Sequence, residues 1–540
     1  MKTIKITFLI IFALLVSINV NAQWITDTDV NTLVVDSEGL DMQAISSIDG
    51  KTYIVFWEAV DAPTNIELRL QILDVDGTQL LGDNGMLVSD VIPMSTYTVI
   101  WSIVTDNEGN LYIGVTGTGG GEQAYVFKLD SSGNHLWGAN GVNIGSGYAV
   151  NILPLSTGEA IVSWWPADES VIQKYDASGN DIWDAPHPVV GDGNSTVPAN
   201  MFELTDGDFI MVFHSITFTI YADLYAQRYN ADGDSQWTDA TKLSEHSLQW
   251  NIPYSGVNDG DVVYMGYRAI HDNRFDSYLQ RVNSDGTLPW GINGMDFDTN
   301  QTDFEMDTKI AYESGSQYVW AVCTYTNTSQ SEKGEYVQKF DKETGERQLT
   351  DNAKVIYPIG DEKVHSGSLQ LKEDSPLILL KSGMDNGVSP TTLNTLYLDG
   401  NGDFAWPEET MPLATFSANK SRIQYTTPVN NQSVAVFIED KGTGSKIYAQ
   451  NFMDEELSIN DFENENAIFF VNPVSEIWNL KSKNAISSIS IYNVLGQSIF
   501  ELVNDSSNEV SINTENWNSG MYILKVTTEV GVISKQIIKN

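Results

Sequence analysis

One cysteine in 540 residues excludes an internal disulfide, so the fold must be held by packing, hydrogen bonds and any bound ions. That residue, Cys323, ends the apolar run Val319-Trp320-Ala321-Val322-Cys323, which points to a buried thiol rather than a nucleophile. Cations are scarce as well: 29 Lys and Arg face 72 Asp and Glu, for a formal charge of −43. So acidic a surface repels phosphate backbones and anionic membranes, which sets nucleic acid aside as a partner. The six histidines (His135, His187, His214, His246, His271, His365) show no metal-ligand spacing. No nucleophile elbow, Walker loop or His-Glu-x-x-His run is present. After the opening segment no apolar stretch is long enough to span a bilayer.

That opening segment carries Lys2 and Lys5, an uncharged run from Ile6 to Val20, and the small-residue site Val20-Asn21-Ala22. It reads as a signal peptide over residues 1–22. A retained membrane anchor is the alternative, but the run is short and broken by Ser17 and Asn19. The remainder is too long for one ordinary core, and its 41% hydrophobic and 11% aromatic content excludes a disordered chain. Residues 468–540 hold six acidic groups against five lysines, so with the two leader lysines set aside residues 23–467 carry −44. Solubility outside the cell and loose binding of divalent cations are the plain meaning of that charge.

A phrase recurs through residues 71–402: apolar-polar alternation into Asp or Asn, a Gly turn, and usually a Trp. Examples are Gln173-Lys174-Tyr175-Asp176 with Gly179 and Trp183, and Gln227-Arg228-Tyr229-Asn230 with Gly233 and Trp237. The turn glycines Gly77, Gly133, Gly179, Gly233, Gly286, Gly345 and Gly402 lie 56, 46, 54, 53, 59 and 57 residues apart. Between phrases stand hairpin patterns at residues 44–58, 101–116, 151–165, 201–214, 251–268, 308–325, 367–382 and 421–439. Two hairpin strands, one from the phrase and one after its Trp make four, the blade of a β-propeller. A stacked solenoid is the alternative. The eighth phrase, Ile447 to Phe452, stops before its Gly and Trp, while Gln23 is followed by Trp24 and Thr32-Leu33-Val34-Val35. These supply the missing strand and close the ring. The expected fold class is therefore all-β: an eight-bladed propeller over residues 23–453 closed by its N-terminal strand, with seven blades as the other count. The turn Val282-Asn283-Ser284-Asp285-Gly286 resembles that of propeller repeats in many secreted bacterial proteins, a likeness that implies no particular activity.

After an acidic linker, 454–467, residues 468–540 change character. They contain Asn472-Pro473, then Ile489-Ser490-Ile491-Tyr492-Asn493-Val494-Leu495-Gly496-Gln497, then Trp517-Asn518-Ser519-Gly520-Met521-Tyr522, and finally Ser534-Lys535-Gln536-Ile537-Ile538-Lys539. These four motifs, in this order, resemble the type A C-terminal sorting domain of Bacteroidetes type IX secretion cargo. The resemblance implies recognition by the outer-membrane translocon and its sortase, then removal of this domain and attachment to surface lipopolysaccharide or release. Turns at Gly496 and Gly520 with Tyr492 and Tyr522 on strands suit a seven-strand, Ig-like β-sandwich, and a generic Ig-like binding domain is the alternative.

Catalytic patterns are thin. Asp176 stands three before Gly179 and Trp183 four after it, which departs from the sialidase Asp box. Asp399, Asn401 and Asp403 have the alternate spacing of a calcium loop, but Phe404 stands where Gly is needed and no Glu closes the loop. Asn230-Ala231-Asp232-Gly233-Asp234 is incomplete in the same way, so a repeat turn without metal is expected. Variable loops on a rigid scaffold are where binding resides. The hairpin exits Glu58, Thr116, Trp165, His214, Arg268, Tyr325, Lys381 and Glu439, with Trp57 and Trp164 beside them, are expected at the mouth of the central channel. Exposed aromatics with mixed charge suit a glycan, whose sugar face stacks on an indole; strand ends that merely meet water are the plain alternative. The composite expectation is a secreted binding module for an extracellular glycan or protein, without cofactor. The alternative is a polysaccharide-degrading lyase or hydrolase in which Glu58 and Glu439 act as a carboxylate pair.

Overall fold

Short alternating runs bounded by Gly, Asp and Asn turns form strands throughout, and the described residues contain no helix. The computed structural model describes residues 24–540 except 60–65, 94–98, 120, 217–220, 251–253, 385, 454–467, 471–476, 495, 529–531 and 540. The expected signal peptide, the acidic linker and Asn472-Pro473 lie outside the described residues. The chain divides into two compact units, residues 1–452 and 453–540.

Antiparallel hairpins follow one another along the first unit. The first four pair Gly39–Ser46 with Thr52–Ala59, Val99–Thr105 with Leu111–Thr116, Tyr148–Pro154 with Ala160–Trp165, and Ser195–Glu203 with Phe209–Ile216. The next four pair Ser255–Asp259 with Val262–His271, Phe304–Ala311 with Tyr318–Thr326, Gln370–Lys372 with Ser375–Ser382, and Lys420–Tyr425 with Gln432–Asp440. A third and a fourth strand extend each hairpin into a sheet, here numbered one to eight in chain order. Sheets four and five are joined through Ser247–Gln249, which pairs with both. The fourth strand of sheet eight is Thr32–Val35, paired antiparallel to Ser445–Met453 with Thr32 opposite Ala449.

The core is divided among successive sheet pairs. Tyr53, Trp57 and Leu70 of sheet one pack with Ile100, Ile113 and Phe127 of sheet two, and like clusters join every following pair. The last joins Val436, Ile438 and Ile447 of sheet eight to Met42, Ile54 and Phe56 of sheet one. The repeated phrase explains how neighbours are fixed. Trp137 of sheet two lies on Gly179 of sheet three, where a Cβ would come within 2.7 Å of the indole, and its Nε1 donates to Ala177 O at 3.1 Å. Gly179 also has φ +83°, so a side chain there meets both strain and collision. The pairs Trp183–Gly233, Trp237–Gly286 and Trp290–Gly345 repeat this contact. Trp24 completes the series: it covers Gly77 of sheet one and donates to Val75 O at 2.9 Å. The phrase glutamine has its own task. Gln173 and Gln227, both buried, donate to the carbonyls of Trp183 and Trp237, and in sheet eight Gln450 donates instead to Ile25 O at 2.9 Å.

The second unit is one sheet of five described strands: Ile468–Phe470, Ile477–Asn493, Ser498–Asn513, Gly520–Thr528 and Val532–Lys539. Seven separate strands were expected. The difference arises because the 17- and 16-residue strands run through a register break between Lys481 and Ile486, so each serves two stretches of pairing. Ile489, Ile491, Tyr522, Leu524, Val526 and Ile537 form its core with Trp478. Tyr522 is buried and donates to Asn518 O at 2.8 Å, whereas Tyr492 is half-buried. Gly496, at φ +79°, closes a turn through its N–H to Asn493 O at 2.9 Å. Gly520 opens the fourth strand, and Lys535 and Lys539 are half-buried on the fifth.

Candidate functional site

The second strand of each hairpin ends where the rim was expected, but side chains alternate between strand faces with a period of two. That alternation divides the rim residues. Trp57 and Tyr325 are fully buried and Trp164 nearly so, each packed between neighbouring sheets rather than lining a mouth. Thr116 is buried too, accepting from Trp101 Nε1 at 2.7 Å and donating to Gly147 O at 2.8 Å. His214 is buried beside Tyr254, ring centroids 5.4 Å apart, and burial pushes its pKa down to about 3, so it is neutral. Trp165 is half-buried, edge-on to Trp250 at 5.6 Å. Glu439 is buried and paired with Lys420 at 2.6 Å, with Lys441 3.4 Å away; Glu58 pairs with Arg69 at 2.9 Å. Each proposed acid is thus engaged by its own cation. An exposed aromatic rim is therefore corrected: a hairpin exit fixes where a strand stops, not which face its last residue presents.

Arg268 and Lys381 do line a cavity, of about 780 Å³, formed by sheets five to eight. Its walls come from second strands (Arg268, Thr324, Thr326, Lys381), from first strands (Ser255, Met306, Asp307, Lys309, Ile423, Gln424), from the short strand Lys363–His365 that also pairs with Ser375–Ser382 (Val364, His365), from the start of the third strand Lys333–Asp341 (Lys333) and from connections (Tyr254, Gln330, Ser366, Gly367, Ser368). Arg268 is fixed from three sides. Its Nη1 donates to Met306 O at 2.6 Å, its Nη2 to Gln249 Oε1 at 2.8 Å, and the guanidinium lies over the Phe275 ring at 4.6 Å. Burial pulls its pKa below the ordinary arginine value.

In the wall itself, His365 stands between two carboxylates. Its Nδ1 is 2.7 Å from Glu335 Oε1, its Nε2 is 3.3 Å from Asp307 Oδ2, and its own N–H donates to Glu335 Oε2 at 3.0 Å. Burial opposes the charged ring, but the Glu335 charge and the hydrogen bonds of both carboxylates outweigh it and raise the pKa to about 10. Reciprocally, despite burial the hydrogen bond and charge of His365 hold Asp307 well below the usual carboxylate range. The ring is an imidazolium at neutral pH. Sequence reasoning passed over Asp307, Lys309, Lys333, Glu335 and His365 because only second-strand exits were considered. The available signal was the polar alternation Asp307-x-Lys309 in a strand otherwise built to be buried.

A second cluster lies between sheets five and six. Asp296, Asp298 and Glu305 present carboxylate oxygens within 4.8 Å of one another, and Tyr325 Oη donates to Asp298 at 2.7 Å. Burial pushes Asp296 up to about 6, and burial with the Asp298 charge raises Glu305 well above the usual range. Carboxyls so placed retain a proton among them, and their oxygens are of the type that holds a hard cation. The Asp399 turn is arranged otherwise. Asp399 Oδ1 accepts from Asn401 N and Asp403 N at 2.8 and 2.9 Å, and Lys354 Nζ lies 2.6 Å from Asp403. Its oxygens already serve the turn, as those of Asp130 and Asp176 do in theirs.

Comparison with known proteins bears on the two units differently. Among solved structures the chain is similar to a polysaccharide lyase at 11% identity and TM-score 0.42, covering 69% of this chain and 94% of that one. It is similar to the α-L-arabinanase of Penicillium chrysogenum at 12% and 0.33, covering 56% and 92%. It is also similar to prolyl oligopeptidase B of Galerina marginata at 12% and 0.39, covering 76% and 56%. No curated protein sequence matches the chain. No helix among the described residues is long and apolar enough to cross a membrane. Residues 469–540 match the family described as the secretion system C-terminal sorting domain. With the four ordered motifs in the same residues, that match makes this chain a type IX secretion cargo, secreted or carried on the outer cell surface through its C-terminal sorting domain.

Proposed function

We propose that residues 24–453 form an eight-bladed β-propeller closed by Thr32–Val35, and that it serves outside the cell as a binding module for a glycan. The closure reading is supported by the core shared between sheets eight and one and by Trp24 standing where the other units place their own tryptophan. The observation that carries the binding reading is the cavity of about 780 Å³, a size that admits a few sugar rings. Its lining suits hydroxylated rings: Ser255, Thr324, Thr326, Ser366 and Gln424 offer hydrogen bonds, and Tyr254 offers a ring face. Sugar hydroxyls donate and accept at once, which matches mixed hydroxyl and amide walls better than an apolar pocket would. For the catalytic alternative, Glu58 and Glu439 are each held in an ion pair, which leaves neither poised as acid or base.

A glycan array with the exported protein, followed by a reducing-end assay on each hit, tests the reading. Binding without turnover is expected. Turnover of a bound glycan would replace the binding module with an enzyme, and silence across the array would overturn the glycan reading in favour of a protein ligand.

A further inference from the structure

We propose that the ligand of this cavity is an anionic polysaccharide, carrying carboxylate or sulfate groups, and that Arg268 engages the anionic substituent. The proposal rests on the glycan reading above and adds the charge class.

Charge is distributed against the grain of the molecule here. Across the chain acids outnumber cations 72 to 29, yet the cavity lining holds four cations (Arg268, Lys309, Lys333, Lys381) and one carboxylate, Asp307. His365 adds an imidazolium whose partner Glu335 sits behind the wall, so the lining is basic in composition where the rest of the chain is acidic. Arg268 is the focus because of how it is held. Its hydrogen bonds go to a carbonyl and an amide oxygen, and among the described residues no carboxylate lies within ion-pair distance of it. A guanidinium fixed by neutral acceptors, partly desolvated and stacked on Phe275, keeps its full charge for a ligand. Its planar fork suits a carboxylate or sulfate ester. Asp307 is partnered by Lys309 at 3.1 Å and by His365, so its charge is met by those groups and not by Arg268.

The test is equilibrium binding of the exported protein to three polymers: a polyuronate, the same polyuronate with its carboxyls reduced to alcohols, and a sulfated neutral polysaccharide. The expected result is binding to the polyuronate, the sulfated polymer or both, which identifies the substituent, with at least tenfold weaker binding to the reduced polymer. Arg268→Gln should weaken the anionic interaction about tenfold to a hundredfold, the worth of a charge-assisted hydrogen bond. Lys381→Gln should weaken it less, and it replaces Arg268→Gln as the probe should that variant melt early. Equal affinity for the native and reduced polymer overturns the anionic class while the glycan reading stands. Binding to none of the three, with an acidic protein bound instead, overturns both.

Discussion

Replacing His365 by Gln tests a buried charge held between two carboxylates. The ring is buried between Glu335, 2.7 Å from Nδ1, and Asp307, 3.3 Å from Nε2, and its pKa is raised from 6.5 to about 10. A shift of that size corresponds to about 5 kcal/mol favouring the charged ring in the folded state. That figure is a ceiling, since the same attraction also depresses Asp307. The sign follows from linkage: a raised histidine pKa contributes stability that is whole below pH 6.5 and lost as pH climbs toward 10. Glutamine fills a similar space but leaves Glu335 buried without its cation, at a cost of about 3–5 kcal/mol. The assay is urea unfolding of the full chain and of His365→Gln at pH 6 and pH 9.5, with the six histidines followed by NMR of selectively labelled protein. The parent should lose more stability than the variant between the two pH values, and one imidazole resonance, absent from the variant, should titrate near 10. Equal pH dependence in the two proteins, or a titration near 6.5 for the resonance that the variant lacks, would refute the reasoning.

Two further predictions concern the core. Trp24→Ala removes the indole covering Gly77 and the bond to Val75 O, so about 3–5 kcal/mol should be lost and amides of Ser445–Met453 should exchange faster; unchanged exchange there would argue against strand closure. Cys323 is fully buried, and desolvation with the nearby Glu305 and Glu335 charges raises its pKa well above the ordinary thiol value. It should resist a thiol-specific reagent in the native protein at pH 8 and react once the chain is unfolded in urea; rapid native labelling would place it in an accessible environment instead.

Much of the strand order was legible because hairpin strands alternate and their turns carry Gly, Asp or Asn at fixed offsets. Trp101 to Val104 and Leu111 to Val115 fall within a paired hairpin for that reason. The Gly-Trp phrase was legible as spacing but not as mechanism. Nothing local in Gly179 says that the indole above it comes from the preceding sheet, 42 positions earlier at Trp137. The site was less legible still. Arg268 and Lys381 fall at strand exits that face the cavity, whereas Tyr325, at the corresponding exit, turns inward to Asp298 while Thr324 and Thr326 face the cavity. Facing depends on strand register, and the bulges in these hairpins, such as that between Glu305 and Asp307, shift register by one residue without a composition signal.

The charge pattern ties export to binding. Residues 23–467 carry −44 and residues 468–540 only −1, so the acidic character belongs to the unit that would do the binding and not to the one read for sorting. A surface so acidic would be a poor trap for an anion if its field reached inward undiminished. Mobile salt prevents that: exposed charges are screened over about 8 Å at physiological ionic strength, while charges within a partly enclosed cavity are screened less. Arg268 would therefore act on a ligand at short range, and the acids outside would act mainly on other macromolecules at longer range. On the proposed reading, an acidic exterior that discourages indiscriminate adsorption and a guanidinium held in the cavity for one kind of substituent would be complementary means to selectivity.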